Sequence, residues 1–408
     1  MQNTLTSGSP QLMRRLNSAL VLQAIRETGS VSRPEIRRLT GLSKPTVSEV
    51  VESLVRTGYV NEAAGDGNGR PGPRARVLTF RADVGHVLGI DVGANKILAH
   101  VADLSGRVVA SERRPTEGGR GADGLLKTVR AAAATALSRA GVSRTSLKAA
   151  AIGTPGVVDP ASGRITLAPQ LGDWEGIDVS RRLGRSFPCP VLVDNEVRLS
   201  VLAERWCGAA QGIDAAVYVQ IGVGIGAGIL IGGELYRGAN GAAGEIGYLP
   251  LPANGPLGGG PGPFEHAAGG TAFARLGREA ARGPTGARLR ELAGGEPDAI
   301  DAETVFAAAR EGDGAAAAIV DELTRRLATG IAAVVAVLNP ATVIIGGGLS
   351  RAGSALLDPL ERGVRSLVPL PPRLVLSTLG EESVALGAVQ LALQSADEQL
   401  FSFAGRSG

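Results

Sequence analysis

The stretch His86-Val87-Leu88-Gly89-Ile90-Asp91-Val92-Gly93 decides how this chain is read. An apolar run that ends in a carboxylate and a glycine reads as a buried strand delivering Asp91 and Gly93 to a tight turn. Lys96 follows on the next strand, and residues 97–102 and 107–111 continue the meander. The same texture recurs along the chain. A helical stretch over 124–139 leads to a strand over 149–153 and then Thr154-Pro155-Gly156. A strand over 190–193 ends in Asp194-Asn195-Glu196 and opens a helix over 197–208. Residues 217–228 repeat the strand-and-glycine pattern, and residues 343–348 give a further strand ending in a glycine turn. Strands alternating with helices predict an α/β body. Each glycine turn places backbone N–H groups where phosphate oxygens can sit, although α/β corners also use glycine for steric reasons alone. None matches the Walker or the dinucleotide-binding spacing.

Composition bounds the rest. The 408 residues carry 42 Lys and Arg against 39 Asp and Glu, with 44 % hydrophobic residues, which excludes a highly charged disordered chain and leaves room for two or three domains. Cys189 and Cys207 make neither a disulfide framework nor a CxxC pair. The polar start lacks a signal-peptide core and no run approaches the ~20 apolar residues of a membrane span, so a cytoplasmic protein is expected.

Charge divides unevenly at Ala82. Residues 1–82 hold 12 basic against 6 acidic residues, and the remainder 30 against 33. A basic head on a mildly acidic body is what a nucleic-acid module joined to a small-molecule module would show, and it predicts domains 1–82 and 83–408. Leu16, Leu20, Val21 and Ile25 recur at helical spacing, and Gly29 ends that helix. Ser32 caps a second helix with Glu35 three residues on, and Thr40-Gly41 makes the turn. Ser43 caps a third helix, with Pro45 in its first turn and Val47, Val50, Val51 and Leu54 on its buried side. Tyr59 and Val60 start a strand whose partner is 76–80, joined by a glycine-rich basic loop. Three helices and a two-stranded wing predict a winged helix-turn-helix, whose third helix enters the major groove. Ser43, Lys44, Thr46, Ser48 and Glu49 at its outward N-terminal end are candidates for base and phosphate contacts. Arg70, Arg74 and Arg76 of the wing are candidates for backbone or minor-groove contact.

Taken together, the body segments closely resemble the ROK family (repressors, open reading frames and kinases) over about residues 88–393. Residues 89–96 look like its first phosphate motif, and 221–228 like its second. Ala168-Pro169-Gln170-Leu171 and Trp174 look like its sugar loop, and 193–204 like the segment bearing its catalytic base. Residues 238–247 resemble the stretch supplying a sugar-binding Glu, and 343–349 the adenosine-side turn. The resemblance implies a two-lobed, actin-like, ribonuclease H-like sugar-kinase fold. It implies sugar contacts from Gln170, Asn195, Glu196, Glu245, Tyr248 and Glu265, and a residual phosphate site at Asp91, Gly93, Lys96, Gly222, Gly224 and Gly347. Members with a winged head are similar to sugar-responsive repressors such as those for xylose and N-acetylglucosamine; members without it are sugar kinases.

The departures bear on activity. Glu196 stands where the kinases carry an Asp base, and a misplacement of about 1 Å can cost on the order of a hundredfold in rate. Asn95 and Val223 replace phosphate-motif threonines. Tyr248 stands at a zinc-ligating His position and residues 257–264 hold no cysteine, so no metal and no cofactor are expected. The expectation is therefore a non-catalytic homologue: a DNA-binding regulator, a repressor of carbohydrate metabolism, that pairs duplex operator DNA with a sugar effector as a homodimer or homotetramer. The alternative is an active ATP-dependent sugar kinase with an added head.

Overall fold

The computed structural model describes residues 10–64, 76–116, 121–159, 162–168, 171, 174–251 and 261–403. The head consists of α1 (Pro10–Thr28), β1 (Val31–Ser32), α2 (Arg33–Thr40), α3 (Lys44–Arg56), β2 (Val60–Ala64) and β3 (Arg76–Phe80). Local chemistry sets each boundary. The Ser32 hydroxyl accepts from Glu35 N at the start of α2, and Gly41, at φ 70°, takes the left-handed conformation that ends it. The Ser43 hydroxyl accepts from Thr46 N at the start of α3. Val21, Leu22, Ile25, Ile36, Val47, Val51, Leu54 and Leu78 form the head core. The α1 stripe differs from the expected one. Leu16 and Leu20 are exposed, while Ser18, Val21, Leu22 and Ile25 face inward. The inward set has the i, i+3, i+4, i+7 spacing, and a polar Ser18 at its start disguises the phase. The wing is a three-stranded sheet in the order β1-β3-β2, since Val31 pairs with Leu78 beside the expected hairpin.

The body is built from two sheets of the same design. In lobe one, β4 (His86–Val92), β5 (Lys96–Asp103) and β6 (Val108–Pro115) form an antiparallel meander. Helix α4 (Gly121–Ala140) then leads to β7 (Leu147–Thr154), the short hairpin β8 (Val157–Val158) and β9 (Ile165–Thr166), α5 (Val179–Gly184) and β10 (Val191–Asn195). The main sheet runs β10-β7-β4-β5-β6, with β4, β7 and β10 parallel. Helix α6 (Glu196–Cys207) crosses to lobe two, where β11 (Ala216–Ile221), β12 (Ile225–Ile231) and β13 (Glu234–Leu235) repeat the meander. Helices α7 (Pro263–Ala268), α8 (Gly270–Arg282), α9 (Ala287–Leu292), α10 (Ala302–Arg310) and α11 (Gly314–Leu338) precede β14 (Thr342–Gly346), and α12 (Ser354–Leu367) precedes β15 (Arg373–Leu376). This sheet runs β13-β12-β11-β14-β15, with β11, β14 and β15 parallel. Both sheets thus place their first strand at the centre and aim its C-terminal end at the space between the lobes.

Helix α13 (Ser383–Phe403) returns to lobe one and packs on β4, β7 and α6. A side chain on Gly387 would run into Leu199 O, so glycine is what lets α13 and α6 touch backbone to backbone. At its far end, Asp397 accepts both Arg26 Nη1 and Nη2, at 2.7 and 2.8 Å. The Arg26 guanidinium lies 4.4 Å above the Phe80 ring. Tyr59 and Phe80 pack against the head core and also against the lobe-one core beneath α13. No described helix is long and apolar enough to cross a membrane.

Candidate functional sites

On the head, Ser43 and Lys44 are exposed at the start of α3, while Thr46 and Ser48 are half-buried. The Ser43 and Thr46 hydroxyls bond each other at 2.8 Å, so they hold the helix end in shape. Lys44 has no acidic partner among the described residues. Arg76 at the root of the wing lies 3.7 Å from Glu62, a carboxylate that also takes Arg33. Arg70 and Arg74 lie outside the described residues.

Between the lobes, the strand ends gather carboxylates. Asp91 at the end of β4 is buried, and burial, then the neighbouring Glu196, push its pKa up to about 7, against a smaller opposing pull from Lys96. Glu196 opens α6. Its Oε1 accepts a 2.7 Å hydrogen bond from Gln220 Nε2, and its pKa is raised by burial and by Glu245. Glu245 lies at the N-terminal end of a 3-10 turn over 246–248; burial and then Glu265 raise its pKa, while Arg198 lowers it. Glu265 on α7 accepts from Ile225 N at 3.0 Å, and burial raises its pKa. Tyr248 remains 39 % exposed beside the two glutamates. The structure therefore brings Asp91, Glu196, Glu245, Tyr248 and Glu265 near one another. Gln170 lies outside the described residues.

Asn195 is already committed. Its Oδ1 caps α6 by accepting from Val197 N and Arg198 N, and its Nδ2 donates to Gly156 O at 2.9 Å. It fixes the turn after β7 against the start of α6, so it shapes the cleft wall as much as it lines it. Behind it stands a group that sequence reading missed. Arg198 is buried, pairs with Asp194 at 2.6 Å and donates to Gly241 O and Val158 O. Arg237 takes the other Asp194 oxygen at 2.8 Å. These side chains line a space of about 430 Å³ at the back of Asn195. Asp194 lies on β10 and Arg198 on α6, so the period of a single element does not pair them.

The phosphate-motif residues divide. Lys96 Nζ lies 3.9 Å from Asp91 and 3.2 Å from Glu381, and it donates to Glu381 O at 2.9 Å, so its charge is held within the protein. Gly93 N donates to Lys96 O, and Gly222 N to Gly224 O, each at 2.9 Å, which closes both turns on themselves. Gly347, at φ 80°, sits 2.6 Å from Ile221 O when given a Cβ, so only glycine fits this turn. Val223 is 66 % exposed between Gly222 and Gly224 and offers no hydroxyl. In the neighbouring sugar-loop segment, the buried Trp174 indole donates to Thr154 Oγ1 at 2.8 Å. Among the described residues, no three His, Cys, Asp or Glu side chains gather closely enough to hold a metal ion. Residues 257–260 of the 257–264 loop lie outside the described residues.

Residues 87–395 match the model of the ROK family. The chain belongs to the ROK family. Residues 15–86 match the model of the MarR family, so the head is a MarR-type winged helix ahead of a ROK body. The xylose repressor of Caldicellulosiruptor bescii is 29 % identical over 392 residues, covering 95 % of this chain and 97 % of that protein. Among solved structures, the ROK family glucokinase of Streptomyces griseus, in complex with glucose and AMPPNP, is 31 % identical. It superposes with a TM-score of 0.67 over 76 % of this chain and 100 % of its own. A ROK family transcriptional regulator, homolog of the E. coli MLC protein, is 23 % identical with a TM-score of 0.79. That match covers 96 % of this chain and 98 % of its own, so head and body together form a known fold.

Proposed function

We propose that this protein is a transcriptional repressor of carbohydrate genes whose operator binding is set by a sugar in a ROK cleft that no longer phosphorylates. The observation that carries the reading is the state of Glu196. One oxygen of this carboxylate, at the base position, is tied to Gln220, while the winged head presents an exposed Lys44, with no acidic partner among the described residues, at the start of its third helix. A relative that matches it over nearly the whole length is a xylose repressor. In this reading residues 1–82 bind duplex DNA through Ser43, Lys44, Thr46, Ser48 and Arg76, with Arg70 and Arg74 of the wing, as half of a symmetric homodimer. Residues 83–408 hold the sugar through Asn195, Glu196, Glu245, Tyr248 and Glu265, with Gln170 from the sugar loop. Carboxylates and amides read hydroxyls because they accept and donate along fixed directions. The ligand shifts DNA affinity only by its differential affinity for the two states.

Fluorescence anisotropy of the purified protein on duplexes from its own promoter, with and without a panel of pentoses and hexoses, tests the reading. Tight binding that one sugar weakens is the expected result; indifference to duplex DNA at low ionic strength overturns it. The kinase reading is favoured by the glucokinase likeness and by the retained Asp91 and Lys96. A coupled assay with ATP and the same sugars separates the two, since turnover near one per second or above would establish the kinase.

A further inference from the structure

The head is not a free unit on a string. Tyr59 and Phe80 belong to the head core and to the lobe-one core at once, and Leu104 N donates to Ala82 O at 3.0 Å just after the wing. Apart from Arg81 with Asp83 at the junction itself, Arg26 with Asp397 is the one direct side-chain ion pair between head and body among the described residues. It is a two-pronged pair, with Arg26 also stacked on Phe80, so it fixes an angle as well as a distance. Asp397 lies on α13, ~21 Å along that helix from Ser383. At the Ser383 end the helix meets the cleft: Ser383 bonds Ser200 of α6 at 3.0 Å, and Glu381 just before it holds Lys96. Between the ends, Gly387 seats α13 on Leu199 of α6, and Ala385 O would lie 2.5 Å from a Cβ on Gly89 of β4. α13 therefore lies in close backbone contact with both α6 and β4.

We propose that α13 is the rod through which the cleft orients the DNA-reading head, and that Arg26 and Asp397 are the positioning residues clamping the head to its far end. This rests on the sugar-controlled reading above. A ligand acting on the Asn195–Glu196 start of α6 moves α13 with it, because the two helices share a backbone contact. The clamp then turns a displacement of lobe one into a displacement of the reading helix. Without the clamp, the head keeps its own fold and its own DNA contacts but loses its attitude to the cleft.

The test uses the full chain and the Asp397→Asn, Arg26→Gln and doubly substituted proteins. Operator affinity is measured by anisotropy with and without saturating D-xylose or D-glucose. In the intact protein the affinity ratio between the two conditions is expected to exceed about fivefold. In each variant it should fall to within about twofold of one, with sugar binding by calorimetry retained and the double variant no worse than either single one. A ratio unchanged in both single variants overturns the inference while leaving the regulatory reading intact. If neither sugar alters DNA binding of the intact protein, the regulatory reading fails for these sugars, and a second measurement still decides the clamp. Spin labels at position 52 on α3 and position 127 on α4, in a background lacking Cys189 and Cys207, report the head-to-body distance. A narrow distribution that broadens in Asp397→Asn supports the clamp; an equally narrow one in both proteins overturns it.

Discussion

The start of α3 and the floor of the cleft both concentrate ionisable groups, and they hold them under opposite conditions. Lys44 stands in water, where its field reaches a partner of opposite sign but is screened within about 10 Å at 0.1 M salt. Asp91, Glu196, Glu245 and Glu265 stand in a confined space where burial outweighs every other influence and pushes each pKa upward. The head is suited to a long-range, salt-sensitive encounter with a polyanion. The cleft is suited to short-range recognition of neutral hydroxyls by groups that exchange donor and acceptor roles as they titrate.

The sharpest way to break this contrast is at Arg198. Replacing it by Ala leaves the buried Asp194 with Arg237 as its one remaining ion-pair partner among the described residues, beside the Asn195 N–H, and should destabilise the protein by about 3 kcal/mol, within the usual range for breaking a buried pair. Denaturant unfolding of the variant measures this, and a loss below about 1 kcal/mol would show the back of the cleft to be better hydrated than its burial suggests. A smaller effect of opposite sign is expected at Asp91. Its folded-state pKa, about 7, lies above its ordinary 3.8, so the stability it contributes is fully present at low pH and fades as pH rises towards 7. Asp91→Asn should therefore stabilise by about 2 kcal/mol at pH 8 and by nothing near pH 4, read from melting curves across that range. A pH-independent difference would mean the carboxyl is ionised throughout. On the head, Ser43→Ala removes the α3 cap at a cost of about 1 kcal/mol. The smallest change in free energy is Lys44→Ala, which should leave the melting temperature alone and reduce the slope of log affinity against log salt by about 0.9. An unaltered slope would place the DNA elsewhere on the head.

The two regions also differ in how far their residues announced them. The head was legible because its decisions are local: Ser32 and Ser43 bond groups three residues away, and Gly41 closes its own turn. The misphased α1 stripe and the two-residue β1 escaped because Ser18 looks polar and a two-residue strand has no period of its own. In the cleft, the strand ends carrying Asp91, Asn195 and the glycine turns were visible as motifs, and the family resemblance supplied Glu245 and Glu265. What was not visible was the company they keep. Gln220 reaches Glu196 from 24 residues away, Arg198 reaches Gly241 from 43, and Lys96 reaches Glu381 from 285. Such partners are set by the packing of two lobes, and no window along the chain contains them.

The sealing of the Trp174 indole against Thr154 has a practical corollary. The chain has two tryptophans, and the other, Trp206, packs over Gly106 on the far side of lobe one's sheet. One of the two chromophores thus stands in the segment that resembles the family's sugar loop, while the other lies apart from it on α6. Ultraviolet emission of Trp206→Phe, compared with that of the unlabelled protein, isolates Trp174 and tests whether an added sugar alters its surroundings.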